Sequence, residues 1–181
     1  MNHYTATAKT LHWLMALLLI GLFTLGVYMH ELPLSPRKLQ LYSWHKWAGV
    51  TVFLLVALRL AWRLGHRLPA LPETMPRLLR RVASATHGLL YLLMFAIPLS
   101  GWLMSSAKGF QTVYFGVLPL PDLLAKDAAL GDALLQLHFS LNMLFAVLVI
   151  GHAGAALKHH FIDRDDILAR MLPRRTTEKK S

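Results

Sequence analysis

Residues 137–157 read LHFSLNMLFAVLVIGHAGAAL, and this stretch decides the fold. It has the length that carries a helix across a bilayer, roughly 20 residues, and it contains no Asp, Glu, Lys or Arg. Two histidines, His138 and His152, stand fourteen residues apart in it. In an α-helix that spacing is about 21 Å of rise and almost four full turns, so both rings leave the same face at different depths. A histidine in lipid is costly unless it is paired or ligated, so each is a candidate functional group.

Three more apolar stretches complete a four-span pattern: residues 11–28, 42–62 and 82–104, alongside 134–157. None holds a carboxylate, and only Lys46 and Arg59 carry formal charge within them. Carboxylates in mid-membrane are the usual parts of proton pumps and ion-coupled carriers, so their absence counts against that class. The expected fold is an all-α membrane protein, a four-helix bundle forming one domain over residues 1–175, with a polar tail at 176–181. The first span begins with His12 and Trp13 and has no small-residue cleavage site after it, so it is expected to stay in the mature protein.

The composition agrees. The 181 residues are 55% hydrophobic and 15% charged, with a net charge of +10, ten histidines and no cysteine. Intrinsic disorder is excluded by the hydrophobicity. Disulfide scaffolds, cysteine zinc sites, iron–sulfur clusters and c-type haem attachment all need cysteine. Basic and apolar character together indicate a membrane protein with cationic loops and no nucleic-acid partner.

Orientation follows from the loops. Fourteen Lys and Arg residues fall on the side of the termini and of the loop between the second and third spans, against five on the other side. The positive-inside rule then puts both termini in the cytoplasm of a multi-pass inner-membrane protein. The second outer loop, about residues 105–132, is itself apolar and is expected to lie on the membrane surface or fold over the bundle mouth. Phe110, Tyr114 and Phe115 in it read as interfacial aromatics.

Five histidines lie in the spans: His12, His45, His87, His138 and His152. One histidine alone is as readily a hydrogen-bonding partner of a neighbouring helix. Five in four helices, with no carboxylate to pair with, weaken that explanation. Threading the spans up and down places His45 at the depth of His138, and His12 at the depth of His152. Two bis-histidine sites stacked in a four-helix bundle suit two b-type haems, each iron taking one imidazole from each of two helices. With both axial positions filled, electron transfer is favoured over oxygen activation. Gly49, Gly88, Gly151 and Gly154 near these histidines suit either a flat macrocycle or close helix packing. Zinc is a poorer fit, because a closed site wants four ligands at one depth.

Several motifs carry a family resemblance in order along the chain: LHWLMALLL at 11–19, WHKWAGVTVFLLVALRLAWRL at 44–64, THGLLYLLMFAIPLSGWLM at 86–104, and LHFSLNMLFAVLVIGHAGAALKHHF at 137–161 followed by ILARMLPR. Over about residues 4–174 the chain resembles the bacterial cytochrome b561 family, similar in plan to the di-haem subunits of membrane formate dehydrogenases and nickel–iron hydrogenases. The resemblance implies an oxidoreductase-type di-haem cytochrome passing electrons between the periplasmic face and quinone, with ubiquinone as acceptor. One branch of the family oxidises superoxide. It also implies His45 and His138 on the periplasmic-side haem iron and His12 and His152 on the cytoplasmic-side one.

His87 shares the inner layer, where an iron can take only two of three histidines, and is assigned to the quinone or haem-edge environment. Lys158 and His159 are assigned there as well, with a positive-inside cap on the fourth span as the competing explanation. Arg59, Arg63, Arg81, Lys46 and Lys158 are candidate partners for haem propionates. The outer loops hold a net charge of only +1. Superoxide is therefore one candidate donor, beside a redox protein, with Lys46 and Arg37–Lys38 as a local funnel. The competing classes are a membrane-anchor subunit carrying electrons for a partner oxidoreductase, and a histidine-based metal transporter. The latter is disfavoured by unbroken, carboxylate-free spans. Directly catalytic residues and oligomeric state stay open at this level.

Overall fold

The computed structural model describes residues 3–66, 69 and 75–172. The expected tail at 176–181 lies outside the described residues, as do Arg67, Pro72, Arg174 and Arg175. Four long helices dominate: α1 (Ala6–Glu31), α2 (Pro36–Leu64), α3 (Arg77–Ala107) and α4 (Ala128–Phe161). All four are long and apolar enough to cross a membrane. Each overruns the expected span at both ends, because flanking turns continue the helix past the apolar stretch.

The starts are set by local chemistry. The Thr5 hydroxyl accepts from the Ala8 N–H, the Ser35 hydroxyl from Lys38 ahead of Pro36 at the first helical position, and the Asp127 carboxylate from Leu130. Each satisfies a donor that a helix start leaves orphaned. At the far end of α4, Lys158, His159 and His160 occupy the last turn, where positive charge complements the helix dipole.

The helices pack α1 on α2, α2 on α3 and α3 on α4. The packed core sits at mid-height. Met15, Val52 and Val56 form one cluster, with Leu19, Tyr91 and Phe95 against it, while Leu90, Leu93 and Phe145 form another. Outward-facing Leu17, Ile20, Leu54, Leu58, Val147 and Ile150 are exposed in the chain alone and face lipid. The two clusters fall between the levels of the ring layers, Phe145 midway between His138 and His152 on α4, and so form an apolar septum separating two layers of rings.

The two ends are closed differently. At the hairpin end, residues 108–127 form a short antiparallel hairpin, β1 (Val113–Tyr114) and β2 (Leu118–Pro119). Phe115 and Gly116 take positive φ (51° and 74°) in its turn, which glycine tolerates at no cost. The hairpin folds over the bundle: Lys46 Nζ donates to the Phe110 carbonyl at 3.0 Å, Trp47 Nε1 to the Val113 carbonyl at 2.6 Å, and the Thr51 and Tyr114 hydroxyls meet at 2.9 Å. Tyr114 is thus a docking residue, while Phe110 and Phe115 remain exposed as expected of interfacial aromatics. At the terminal end, residues 162–172 turn back under α1, where Trp13 Nε1 and Lys9 Nζ donate to the Met171 and Leu172 carbonyls, each at 2.9 Å.

Candidate haem-binding site

Each of the two layers is assembled from facing helices. At the hairpin end, His45 of α2 and His138 of α4 stand with ring centres 6.4 Å apart and planes 78° from parallel. At the terminal end, His12 of α1 and His152 of α4 stand 6.3 Å apart at 72°. Two imidazoles bound to opposite faces of one metal, with metal–nitrogen bonds of roughly 2 Å, have ring centres about 6 Å apart. Both pairs have that separation. His138 and His152 project from one face of α4, as the fourteen-residue spacing predicts.

His87 of α3 lies 5.3 Å from His152, also edge-on at 73°. It belongs to the terminal layer, and its spacing from His152 is about 1 Å shorter than the spacing within either pair. That is short for the opposite axial position and ordinary for a packed ring neighbour. Arg59 shares the layer. Its Nη1 donates to the Ala8 carbonyl at 2.7 Å, one turn before His12, and its charge is felt at His12, His87 and His152.

The residues around the hairpin-end pair suit a ligated imidazole. His138 Nδ1 lies 3.0 Å from the Ile97 carbonyl and 2.9 Å from Ser100 Oγ, so its Nδ1–H is spoken for and Nε2 is the nitrogen left for a metal. The ring rests on a glycine: a Cβ at Gly101 would come 3.1 Å from His138 Cε1. Gly26 of α1 plays a looser version of that part, where a Cβ would lie 3.5 Å from His45 Cε1. His45 Nδ1 is buried without a hydrogen-bond partner among the described residues. With Nδ1 enclosed by protein, Nε2 is the nitrogen of His45 left for a group held between the rings. The glycines that touch the rings are therefore Gly26 and Gly101. The four singled out from sequence, Gly49, Gly88, Gly151 and Gly154, meet no atom of another residue within 4 Å beyond their own helix and chain neighbours.

Lys158 and His159 turn toward the segment after α4 instead of toward His87. Lys158 Nζ pairs with Asp163 at 2.6 Å, and His159 Nδ1 with Asp165 at 2.6 Å and Asp163 at 3.2 Å. The ligand atoms of His159, Asp163 and Asp165 are close enough to surround a cation. Lys158 already balances Asp163, and these bonds read as the knot that reverses the chain. A separate cavity opens at the terminal end between α1, α2 and α3, lined by Tyr4, Thr5, Ala8, Arg59, Trp62, Arg63, His66 and Tyr91. Arg63 lies over the Tyr91 ring at 5.6 Å, and His66 stacks on Trp62 at 4.1 Å. Of the candidate propionate partners, Lys46 is bonded to the hairpin and Lys158 to Asp163, whereas Arg59 and Arg63 line this cavity.

The chain also matches known proteins in sequence. The sequence profile described as prokaryotic cytochrome b561 matches residues 3–174. Cytochrome b561 homolog 2 of Escherichia coli (strain K12) is 36% identical over 188 residues, spanning 98% of this chain and 95% of that protein. Cytochrome b561 homolog 1 of the same organism is 29% identical, over 97% and 99%. The probable superoxide oxidase CybB of Yersinia pestis is 28% identical, over 95% and 97%.

Proposed function

The chain belongs to the prokaryotic cytochrome b561 family, and from that premise we propose that it is a di-haem b cytochrome moving electrons from the periplasmic side of the bacterial inner membrane to quinone. That it is a membrane electron-transfer protein binding haem b follows from the family. The finer reading rests on one observation: two histidine pairs from different helices, at 6.4 Å and 6.3 Å, offset by fourteen residues along α4. In this reading His45 and His138 hold the periplasmic-side haem, and His12 and His152 the cytoplasmic-side one. The distribution of Lys and Arg supports cytoplasmic termini.

When bound, haem would supply reversible one-electron chemistry. The chain supplies the rest. The septum of Met15, Val52, Val56, Leu90, Leu93 and Phe145 keeps water out of the space between the layers. The docked hairpin covers the periplasmic layer through Lys46, Trp47 and Thr51. Arg59 and Arg63 are suited to haem carboxylates at the cytoplasmic end. Quinone reduction consumes protons as well as electrons, and His87 beside His152, with His159 and Lys158 nearer the surface, are the groups able to hold them.

Superoxide is the donor this reading puts to the test, supported by the likeness to the probable superoxide oxidase of Yersinia pestis. Purified oxidised protein mixed with superoxide in a stopped-flow cell should show rapid haem reduction, reversed by a short-chain ubiquinone. Haems that stay oxidised would move the donor assignment to a redox protein. A preparation with no haem, from haem-sufficient cells, would end the di-haem reading.

A further inference from the structure

The Nδ1 nitrogens of the two rings at the hairpin end are treated unequally. His45 Nδ1 has no hydrogen-bond partner among the described residues. His138 Nδ1 has two, both on α3: the Ile97 carbonyl at 3.0 Å and Ser100 Oγ at 2.9 Å. The Ser100 hydroxyl donates to the same Ile97 carbonyl at 2.8 Å. Its single hydrogen being committed there, its oxygen is left to accept from His138 Nδ1–H. Ser100 is 4% exposed, so no water competes. The next residue, Gly101, lies flat against the ring, where a Cβ would be 3.1 Å from Cε1 and 3.4 Å from Nδ1.

We propose that Ser100 is the positioning residue of the periplasmic-side haem, fixing the tautomer and plane of His138 together with the Ile97 carbonyl and the Gly101 surface. This rests on the proposed ligand assignment and goes beyond it. An Nδ1–H that donates a hydrogen bond makes the opposite nitrogen a better electron donor to a metal. A stronger donor favours the ferric over the ferrous state, so Ser100 holds this haem at a lower potential than His138 would give it alone. His45, with no such partner, contributes a softer ligand to the same iron. The clamp also explains the crossed ring planes: the Ile97 carbonyl, the Ser100 hydroxyl and Gly101 leave His138 one orientation, 78° from His45.

The test is a redox titration of the intact haem-loaded protein with both haems resolved, for wild type, Ser100→Ala, Ser100→Thr, Gly101→Ala and His138→Ala. His138→Ala identifies the haem concerned by its loss. Ser100→Ala is expected to shift that haem's ferric-to-ferrous preference by about two- to tenfold toward ferrous. This is a rise in midpoint of up to about 59 mV for a one-electron couple, with the other haem unmoved. Ser100→Thr, which keeps the hydroxyl, restores the wild-type midpoint. Gly101→Ala pushes on the ring instead of on its proton and so changes the low-spin EPR anisotropy of the same haem.

Midpoints in Ser100→Ala equal to wild type for both haems would overturn the proposal, while His138→Ala losing one haem would leave the ligand assignment standing. His138→Ala retaining both haems would overturn that assignment and the proposal with it. If Ser100→Ala binds no haem at all, the threonine variant decides: wild-type behaviour supports a hydroxyl role, and equal failure refutes it.

Discussion

His12→Ala and His87→Ala are expected to part company, although the two rings share a layer and both approach His152. The structure separates them by geometry. His12 and His152 stand 6.3 Å apart, matching the 6.4 Å of His45 and His138 at the other end. His87 and His152 stand 5.3 Å apart, about 1 Å short of the axial arrangement. Widening that pair to ligand spacing would draw α3 away from α4 and open the packing of Leu90 and Leu93 of α3 on Phe145 of α4. His12→Ala should therefore lower the haem content from about two per chain to about one. His87→Ala should keep about two, while slowing reoxidation of the reduced haems by a short-chain ubiquinone. The assay is a pyridine haemochrome measurement against quantified protein, followed by stopped-flow reoxidation. Loss of a haem in His87→Ala with full content in His12→Ala would refute the pairing. Unchanged reoxidation in His87→Ala would refute the quinone-side role.

Other outcomes follow from single contacts. Arg59→Gln removes the cation shared by His12, His87 and His152. Positive charge favours the reduced, less positive iron, so the midpoint of the haem lost in His12→Ala should fall by tens of millivolts, checked by redox titration. Tyr114→Phe deletes the 2.9 Å bond to Thr51 that docks the hairpin and should cost about 0.5–1.5 kcal/mol. Thermal unfolding in detergent and faster proteolysis within residues 108–127 would register it. The hydrogen bond and charge of Arg170 hold the Asp166 carboxyl below its ordinary value of 3.8. The pair therefore stabilises the fold-back of residues 162–172 above that pH, and the contribution is lost as pH falls through the lowered value. Amide exchange in residues 167–172, corrected for intrinsic rates, should rise only in that acid range in wild type and already at neutral pH in Asp166→Asn.

The site was legible in the sequence to the extent that it is written along single helices. His138 and His152 announce a face and two depths on α4 because a helix converts spacing into geometry. The pairings with His45 and His12 then follow from the alternating direction of the spans. The contacts that refine the site run between helices and leave no local signal. Ser100 meets His138 only because α3 packs on α4, and a serine in an apolar span reads equally as a packing residue. Nor does chain order mark the glycines that touch the rings. Gly49, Gly88, Gly151 and Gly154 were near the histidines along the chain, whereas Gly26 and Gly101 touch the rings across the bundle. The loop folds over the bundle mouth, one of the two placements its apolar character allowed, but its docking contacts were hidden, since Lys46 and Trp47 bind backbone carbonyls, which every residue offers.

One regularity of the sequence acquires meaning only with the bundle in hand. Fourteen residues separate His138 from His152, and the same interval separates His12 from Gly26, His45 from Arg59, and His87 from Gly101. Each helix thus contributes one residue to each layer. The hairpin layer receives Gly26, His45, Gly101 and His138, while the terminal layer receives His12, Arg59, His87 and His152. Where one layer has glycine against a ring, the other has a histidine, and where one has His45 the other has a cation. With haem bound as proposed, the first layer offers a hydrogen-bonded donor ligand, with Lys46 turned to the Phe110 carbonyl of the hairpin, which favours ferric iron. The second places a guanidinium among its rings, which favours ferrous iron. Those two biases act in the same direction, downhill for an electron travelling from the hairpin end to the terminal end, where His87 lies beside His152. The chain would then set the direction of transfer with two small devices, Ser100 and Arg59, one on each side of the septum.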